Sequence, residues 1–346
     1  MKDAGKDTHV RLTLEEVREL SVNALRNSNT SAANAKSVAT SITAAEADGI
    51  HSHGLMRLST YCEHALCGKV DGMAIPRVEN VTPAAIKADA GCGFAHPAIE
   101  SGFKELGPAA RALGIAALAV RNSYNCGVVG HHVERLALEG LIGLAFVNTP
   151  AAIAAWGGRK PIFGTNPIAM GAPRLHGAPM VLDQSSSVVA RGEVMLKARE
   201  GKPIPSDWGF DTEGKPTTDP NAVLEGGSMA PAGGYKGVTL ALMVEVLAAA
   251  LTGANFSSDA SSLADNRGGP PRIGQFFIAI NPAVFACDFS ARIEMLFGAI
   301  LSENGTRLPG ERRYAARAAA TQQGIVISRS LFEDLAKRAS KLSFTK

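Results

Sequence analysis

Two histidines, a serine and an arginine crowd the stretch "DGIHSHGLMRLSTYC", residues 48–62, where glycines at 49 and 54 break the chain. Read as the mouth of a helix capped by Ser52, this stretch puts His53 in the first turn. There, unbonded backbone N–H groups and the positive end of the helix dipole favour an anion. Arg57 follows His53 by four residues, so the two side chains share one helix face. A neutral imidazole that can give or take a proton, next to a guanidinium shaped for a carboxylate, suits work on a small acid. The alternative is structural: Ser52 only caps, His51 and His53 are surface turn residues, and Arg57 pairs with Glu63 or another acid.

Three further clusters carry the same double reading. Asp183 follows the apolar run "PMVL" and precedes three serines, which places a carboxylate at a strand end, able to orient an imidazole or hold a ribose hydroxyl, or simply to cap a turn. In "FGTNP" (163–167), Asn166 offers an amide beside a glycine and a rigid exit, a ligand-binding turn or only a turn. Lys236 stands between glycines in "GGYKG", at the start of an apolar helix, placed to meet a phosphate or to remain a solvated loop charge. The adjacent His131 and His132 cannot both face one metal from a helix, and no cysteine spacing suits zinc, so no metal site is expected.

The elements that must position these groups alternate in texture. "TLEEVRELSVNALRN", "SAANAKSVATSITAAEADG" and "HGLMRLSTYCEHALCG" show helical spacing, the second starting after Thr30 or Ser31 and ending at Gly49. Short apolar runs bounded by Gly, Pro and Asn follow: "AIKADA", "GIAALAV", "LIGLAFVN", "PIAMGAP", "APMVLDQS" and later "QFFIAINP". They read as strands, with helical patterns "AIESGFKELGPAARALG" and "GHHVERLALEG" between them, so the middle of the chain is mixed α/β. Residues 200–235, rich in Gly, Pro, Thr and Asp, read as a long functional loop or a boundary. "LALMVEVLAAALTGANF" reads as a buried helix, because Glu245 and Gly253 interrupt it short of the roughly 18 apolar residues of a membrane span. "SLFEDLAKRASKL" reads as a terminal amphipathic helix.

Composition narrows the function classes. The chain has 346 residues, 46% hydrophobic, long for one compact domain. Its 35 basic and 32 acidic residues leave a net charge of +3 without a basic stripe, which argues against nucleic acid. Five cysteines with no CxxC pair fit reduced thiols in a cytosol, and the charged N-terminal stretch does not read as a signal peptide. A P-loop, a GxSxG elbow, HExxH and GxGxxG are all missing, so a nicotinamide enzyme built on this chain needs another way to hold the pyrophosphate.

Taken in order, "ADGIHSHGLMRL", "FGTNPIAMGAP", "LDQSSSVVARGEV", "GKPTTDPNAVLEGG", "GGYKGVTLALMVEVL", "FFIAINP" and "LPGERR" resemble the non-Rossmann malate/L-lactate dehydrogenase family of NAD(P)-dependent oxidoreductases. That resemblance covers residues 47–313 and accounts for the missing GxGxxG. It implies a mixed α/β fold with a non-Rossmann NAD(P)-binding domain, a largely antiparallel sheet and a helical N- and C-terminal domain. The expected division is a helical substrate and dimer domain over 1–80, completed by 308–346, and a cofactor domain over 81–307. It further implies NAD or NADP as cofactor, a small-molecule substrate with a carboxylate and a homodimer, while charge, cysteine usage and the lack of a long apolar span point to a cytoplasmic location and to neither nucleic acid nor membrane as partner.

Carried over by position, the resemblance makes His53 the proton donor or acceptor, with Ser52, Arg57 and Asn166 around the substrate. Asp183 becomes the partner of the histidine and a neighbour of the nicotinamide. Asn125, Thr149, Gln184, Ser185, Lys236, Pro309, Gly310 and Glu311 fall at cofactor-contacting positions. Asn125 stands where relatives commonly carry a histidine, and an amide cannot shuttle a proton near neutral pH; this ranks His53 as the acid/base. The expected reaction is hydride transfer between a nicotinamide and C2 of a 2-hydroxy or 2-oxo acid of the malate, lactate or sulfolactate class. A cyclic imino acid reductase is the second reading, and a relative that binds the dinucleotide without turnover is the third.

Overall fold

The computed structural model describes residues 8–340; the charges of the first seven residues lie outside them. The apolar runs of the sequence become the strands of a seven-stranded sheet. In spatial order these are Arg77–Thr82, Ala85–Asp89, Ile115–Ser123, Ile273–Ile280, Ile142–Val147, Ile168–Ala172 and Met180–Gln184. Only the pairing of Ala85–Asp89 with Ile115–Ser123 is parallel; the other five are antiparallel. The sheet is therefore largely antiparallel, as the family resemblance implies.

Helices Ala95–Leu113 and Val129–Leu138 cover this sheet. Between them Ile99, Leu106, Leu118, Val133, Leu136 and Phe277 form a dry core. At each fully buried position roughly 1.5–3 kcal/mol of transfer free energy favours the folded state. A second core joins the two ends of the chain. Val17, Leu25, Val38, Ile42, Leu55 and Leu58 from the first three helices meet Ile325, Ile327 and Leu335 from the last strand and helix. His9–Leu12 pairs with Ile325–Ser328 in a two-stranded sheet that closes it.

Two readings of the sequence change here. Residues 200–235 run mostly through turns, but they also carry short elements of their own. Gly209–Phe210 and Ser228–Met229 build a small four-stranded sheet with Ile153–Ala154 and Pro161–Phe163, over a core of Ile153, Val194, Ile204, Val223 and Met229. Its strands are two or three residues long, too short to show a period of two amid glycine and proline. The apolar run after Gly237 is not fully buried either. Helix Tyr235–Val244 continues into a π-helical turn, Glu245–Ala250. Leu242, Met243, Val246 and Leu251 are exposed while Ala241, Val244 and Ala248 are buried.

Two buried histidines make the sheet core acid-sensitive. Burial pushes His96 down to about 4 and His132 to about 3, from an ordinary 6.5. The unfolded chain thus takes up protons below 6.5 that the folded chain refuses. The stabilisation is complete above that value and is lost as the pH falls toward the folded values. At up to about 1.4 kcal/mol per pH unit for each group, the pair costs about 3 kcal/mol of stability between pH 6.5 and 5. Denaturant titrations at the two pH values measure this loss, and an unchanged midpoint would mean that neither imidazole is held neutral.

Candidate active site

The sharp joint of the opening stretch is organised by a carboxylate beneath it. Helix Ala32–Ala47 is capped by Ser31 and ends before Gly49, whose φ of +72° lets the chain reverse. His51–His53 then form one 3-10 turn, and helix Leu55–Leu66 begins after Gly54. Ser52 therefore does not cap that helix. The buried Glu46 replaces it, accepting the Leu55 N–H at 2.7 Å through Oε1 and meeting His51 Nδ1 at 2.6 Å through Oε2. A Cβ at position 54 would collide with Glu46 Oε1, so only glycine allows this approach.

Freed from capping, the Ser52 hydroxyl lies 3.0 Å from His53 Nδ1. Among the described residues His53 Nε2 has no protein partner. The ring lines a cavity of about 460 Å³ shared by Arg57, Asn125, Thr149, Asp183 and Arg313, within the range of small-ligand sites. Burial, Arg57 and His131 together push His53 down to about 4. Its imidazole is neutral at physiological pH.

Arg57 donates from Nε to the Ser52 carbonyl at 3.0 Å. The acid offered as its alternative partner, Glu63, is taken by Arg338 at 2.7 Å. No carboxylate among the described residues lies within 4.0 Å of Arg57, so its charge is left for a ligand.

Asn125 is held as a donor. Its Oδ1 accepts both the Tyr61 hydroxyl at 2.9 Å and the Gly127 N–H at 2.7 Å. The amide nitrogen is what remains for the cavity. Thr149, Gln184 and Ser185 line the same space.

Other expected positions fall elsewhere. Asp183 faces the cavity but does not bond His53. It accepts the Gly130 N–H at 2.8 Å and lies 3.6 Å from Arg313. Burial raises its pKa against those favourable contacts. Asn166 is fully buried and does not line the cavity. Its Oδ1 accepts the Thr149 N–H, and its Nδ2 donates to the Ala241 carbonyl and to the buried Glu245. Lys236 is solvent-exposed outside the cavity. Pro309, Gly310 and Glu311 also miss it. The Pro309 carbonyl accepts the Val181 N–H, and Gly310, with φ +97°, starts helix Glu311–Gln323, which carries Arg313 into the site.

Behind the cavity runs a network that the sequence does not announce. Asp48, fully buried, accepts two hydrogen bonds from Arg317 at 2.7 and 3.0 Å and lies 2.9 Å from His131 Nε2. Burial raises its pKa, but the hydrogen bonds from His131 and Arg317 outweigh that and hold it below the ordinary carboxylate value. Arg317 also holds Glu134 through two bonds at 2.6 and 3.0 Å. Arg191, which sequence reasoning passed over, and Thr165, the hydroxyl of the "FGTNP" turn, also line the cavity. The first looks like an ordinary helix start and the second like part of a turn.

The sequence model of malate/L-lactate dehydrogenase matches residues 12–336. The chain belongs to the malate/L-lactate dehydrogenase family. Members of this family are NAD(P)-dependent oxidoreductases, and NAD or NADP is the cofactor of this one. Among curated members, (2R)-3-sulfolactate dehydrogenase (NADP(+)) of Chromohalobacter salexigens is 47% identical over 88% of this chain and 91% of its own length. The Delta(1)-pyrroline-2-carboxylate/Delta(1)-piperideine-2-carboxylate reductase of Pseudomonas putida is 39% identical over 97% and 98%. The solved delta1-piperideine-2-carboxylate reductase of Pseudomonas syringae pv. tomato superposes with a TM-score of 0.91 at 39% identity, covering 95% of this chain and 99% of that one.

Proposed function

We propose that this family member interconverts a small 2-hydroxy acid and its 2-oxo acid, with His53 exchanging the proton. The observation that carries this reading is a neutral imidazole in the same cavity as a guanidinium that no carboxylate among the described residues neutralises. The higher identity to a sulfolactate dehydrogenase than to the reductase supports a hydroxy acid over a cyclic imine.

The residues present fit a nicotinamide dinucleotide. Asn125 offers an unused amide donor, and Arg313 Nη1 is buried without a hydrogen-bond partner among the described residues. Asn125, Thr149, Gln184, Ser185 and Arg313 would hold the cofactor, whose nicotinamide C4 accepts or returns the hydride. Arg57 pairs with the substrate carboxylate, an arrangement favoured by guanidinium geometry. His53, neutral and anchored to Ser52 through Nδ1, uses its other nitrogen to take the hydroxyl proton in oxidation and to return it in reduction. Asp183 keeps Arg313 in place rather than the imidazole.

The exposed apolar band of Leu242, Met243, Val246 and Leu251 supports a homodimer as the working unit. Five unpaired cysteines support a reducing, cytoplasmic setting, and no helix among the described residues is long and apolar enough to cross a membrane.

A substrate panel tests the reading. Malate, lactate and sulfolactate with NAD+ and NADP+ are expected to give nicotinamide reduction at kcat/KM values above those for reduction of pyrroline- and piperideine-2-carboxylate. Turnover of the cyclic imines alone would overturn it.

A further inference from the structure

The charge of the cavity exceeds what one carboxylate can neutralise. Among the described residues three arginines line it, Arg57, Arg191 and Arg313, against a single carboxylate, Asp183. Asp183 and Arg313 face each other at 3.6 Å and offset one another. Arg57 and Arg191 have no carboxylate within 4.0 Å among the described residues. Each spends one bond on a backbone carbonyl, Arg57 on that of Ser52 and Arg191 on that of Ala151 at 3.1 Å.

Their positions place both charges on the His53 side. Arg191 is the first residue of helix Arg191–Glu200, and the next, Gly192, also lines the cavity. A Cβ on Gly192 would sit 3.3 Å from that of Ser52, so this helix end abuts the Ser52–His53 turn. The two guanidinium groups repel, and Arg57 is one of the groups holding Arg191 below its ordinary pKa, after burial. A guanidinium cannot shed its charge near neutral pH. Two like charges facing one partly buried cavity call for counter-charge from the ligand.

Resting on the hydroxy-acid reading, we propose that the substrate carries a second anionic group, and that Arg57 and Arg191 each hold one of its two anions. The second group is a carboxylate or a sulfonate one or two bonds from C2. Arg191 is thus a specificity residue: it selects a dianionic 2-hydroxy acid over lactate.

The test compares dianionic with monoanionic substrates. In the unaltered enzyme, kcat/KM for malate or sulfolactate is expected to exceed that for lactate by about 10- to 100-fold, the worth of a charge-assisted hydrogen-bonded pair. The malate and sulfolactate arms tell carboxylate from sulfonate. In Arg191→Gln the dianion-to-monoanion ratio falls by a similar factor, and in Arg191→Lys by less, because the charge stays and the fork is lost. Calorimetric titration of the NADP+-loaded protein with sulfoacetate, malonate and acetate reads the same ratio without turnover, and it applies even where a variant is inactive.

Equal use of lactate and the dianions by the unaltered enzyme would overturn the proposal while leaving the hydroxy-acid reading intact. So would an Arg191→Gln variant whose main defect is weaker NADP+ binding, since that would assign Arg191 to a cofactor phosphate. Activity confined to cyclic imines would instead overturn the reading on which the proposal rests.

Discussion

His53→Ala is expected to lower kcat by about 10²- to 10⁴-fold, the usual contribution of a positioned general acid/base, while the affinity for NADPH changes by less than about twofold. The expectation follows from the side chains lining the cavity, where His53 is the one imidazole among the described residues and Asn125 offers only an amide. Asp183 is no substitute. Its carboxylate accepts from Gly130 and faces Arg313, and it makes no hydrogen bond to the imidazole it was expected to orient. Steady-state rates combined with fluorescence titration of NADPH separate the two effects. Loss of cofactor binding in parallel with kcat would mean that the ring is a structural support.

Arg317→Met is expected to destabilise the fold by about 3 kcal/mol or more, the range for removing one partner of a buried ion pair. Two acids lose a direct partner at once: Glu134, at 7% exposure, and Asp48, whose fully buried side chain keeps only His131 at 2.9 Å and Arg313 at 3.6 Å. Burial of Asp48 is tolerated only while hydrogen bonds from Arg317 and His131 offset it. The same change reaches the site. Arg313 and Arg317 lie four residues apart on helix Glu311–Gln323, and the network presses that helix against Ala32–Ala47 and Val129–Leu138. Denaturant unfolding measures the loss. A cost below about 1 kcal/mol would class Arg317 with surface pairs, and its partial exposure of 34% is the reason to make the measurement.

How far the sequence foretold this molecule depended on the range of the interaction. Strands Ile115–Ser123, Ile142–Val147 and Ile273–Ile280 were legible because each is an apolar run closed by Gly, Asn or Pro, a signal held within ten residues. The Ser31 cap and the Gly49 stop are equally local. His53 and Arg57 were legible for the same reason, since four residues fix their common side.

What the sequence concealed depends on distant partners. Asn166 reads as an open turn amide until Glu245, 79 residues later, claims it. Arg317 is one arginine in a basic helix until Asp48, 269 residues away, is placed against it. Ser52 has the right type and place for a helix cap, but Glu46 reaches the Leu55 N–H first. Arg191 resembles any residue at a helix start, and only its place in the cavity, with no acid within 4.0 Å among the described residues, sets it apart.

The most direct test of the central claim is the pH dependence of hydroxy-acid oxidation. If His53 is the base, it must be neutral to act, and in the free enzyme burial, Arg57 and His131 hold it near 4. The acid limb of kcat/KM, which reports the free enzyme, should therefore lie well below the ordinary imidazole value of about 6.5. A bound carboxylate cancels the push from Arg57, so the limb of kcat should appear at higher pH than that of kcat/KM. A kcat/KM limb at about 6.5, or two coincident limbs, would contradict the assignment of a buried, neutral His53 as the group that exchanges the proton.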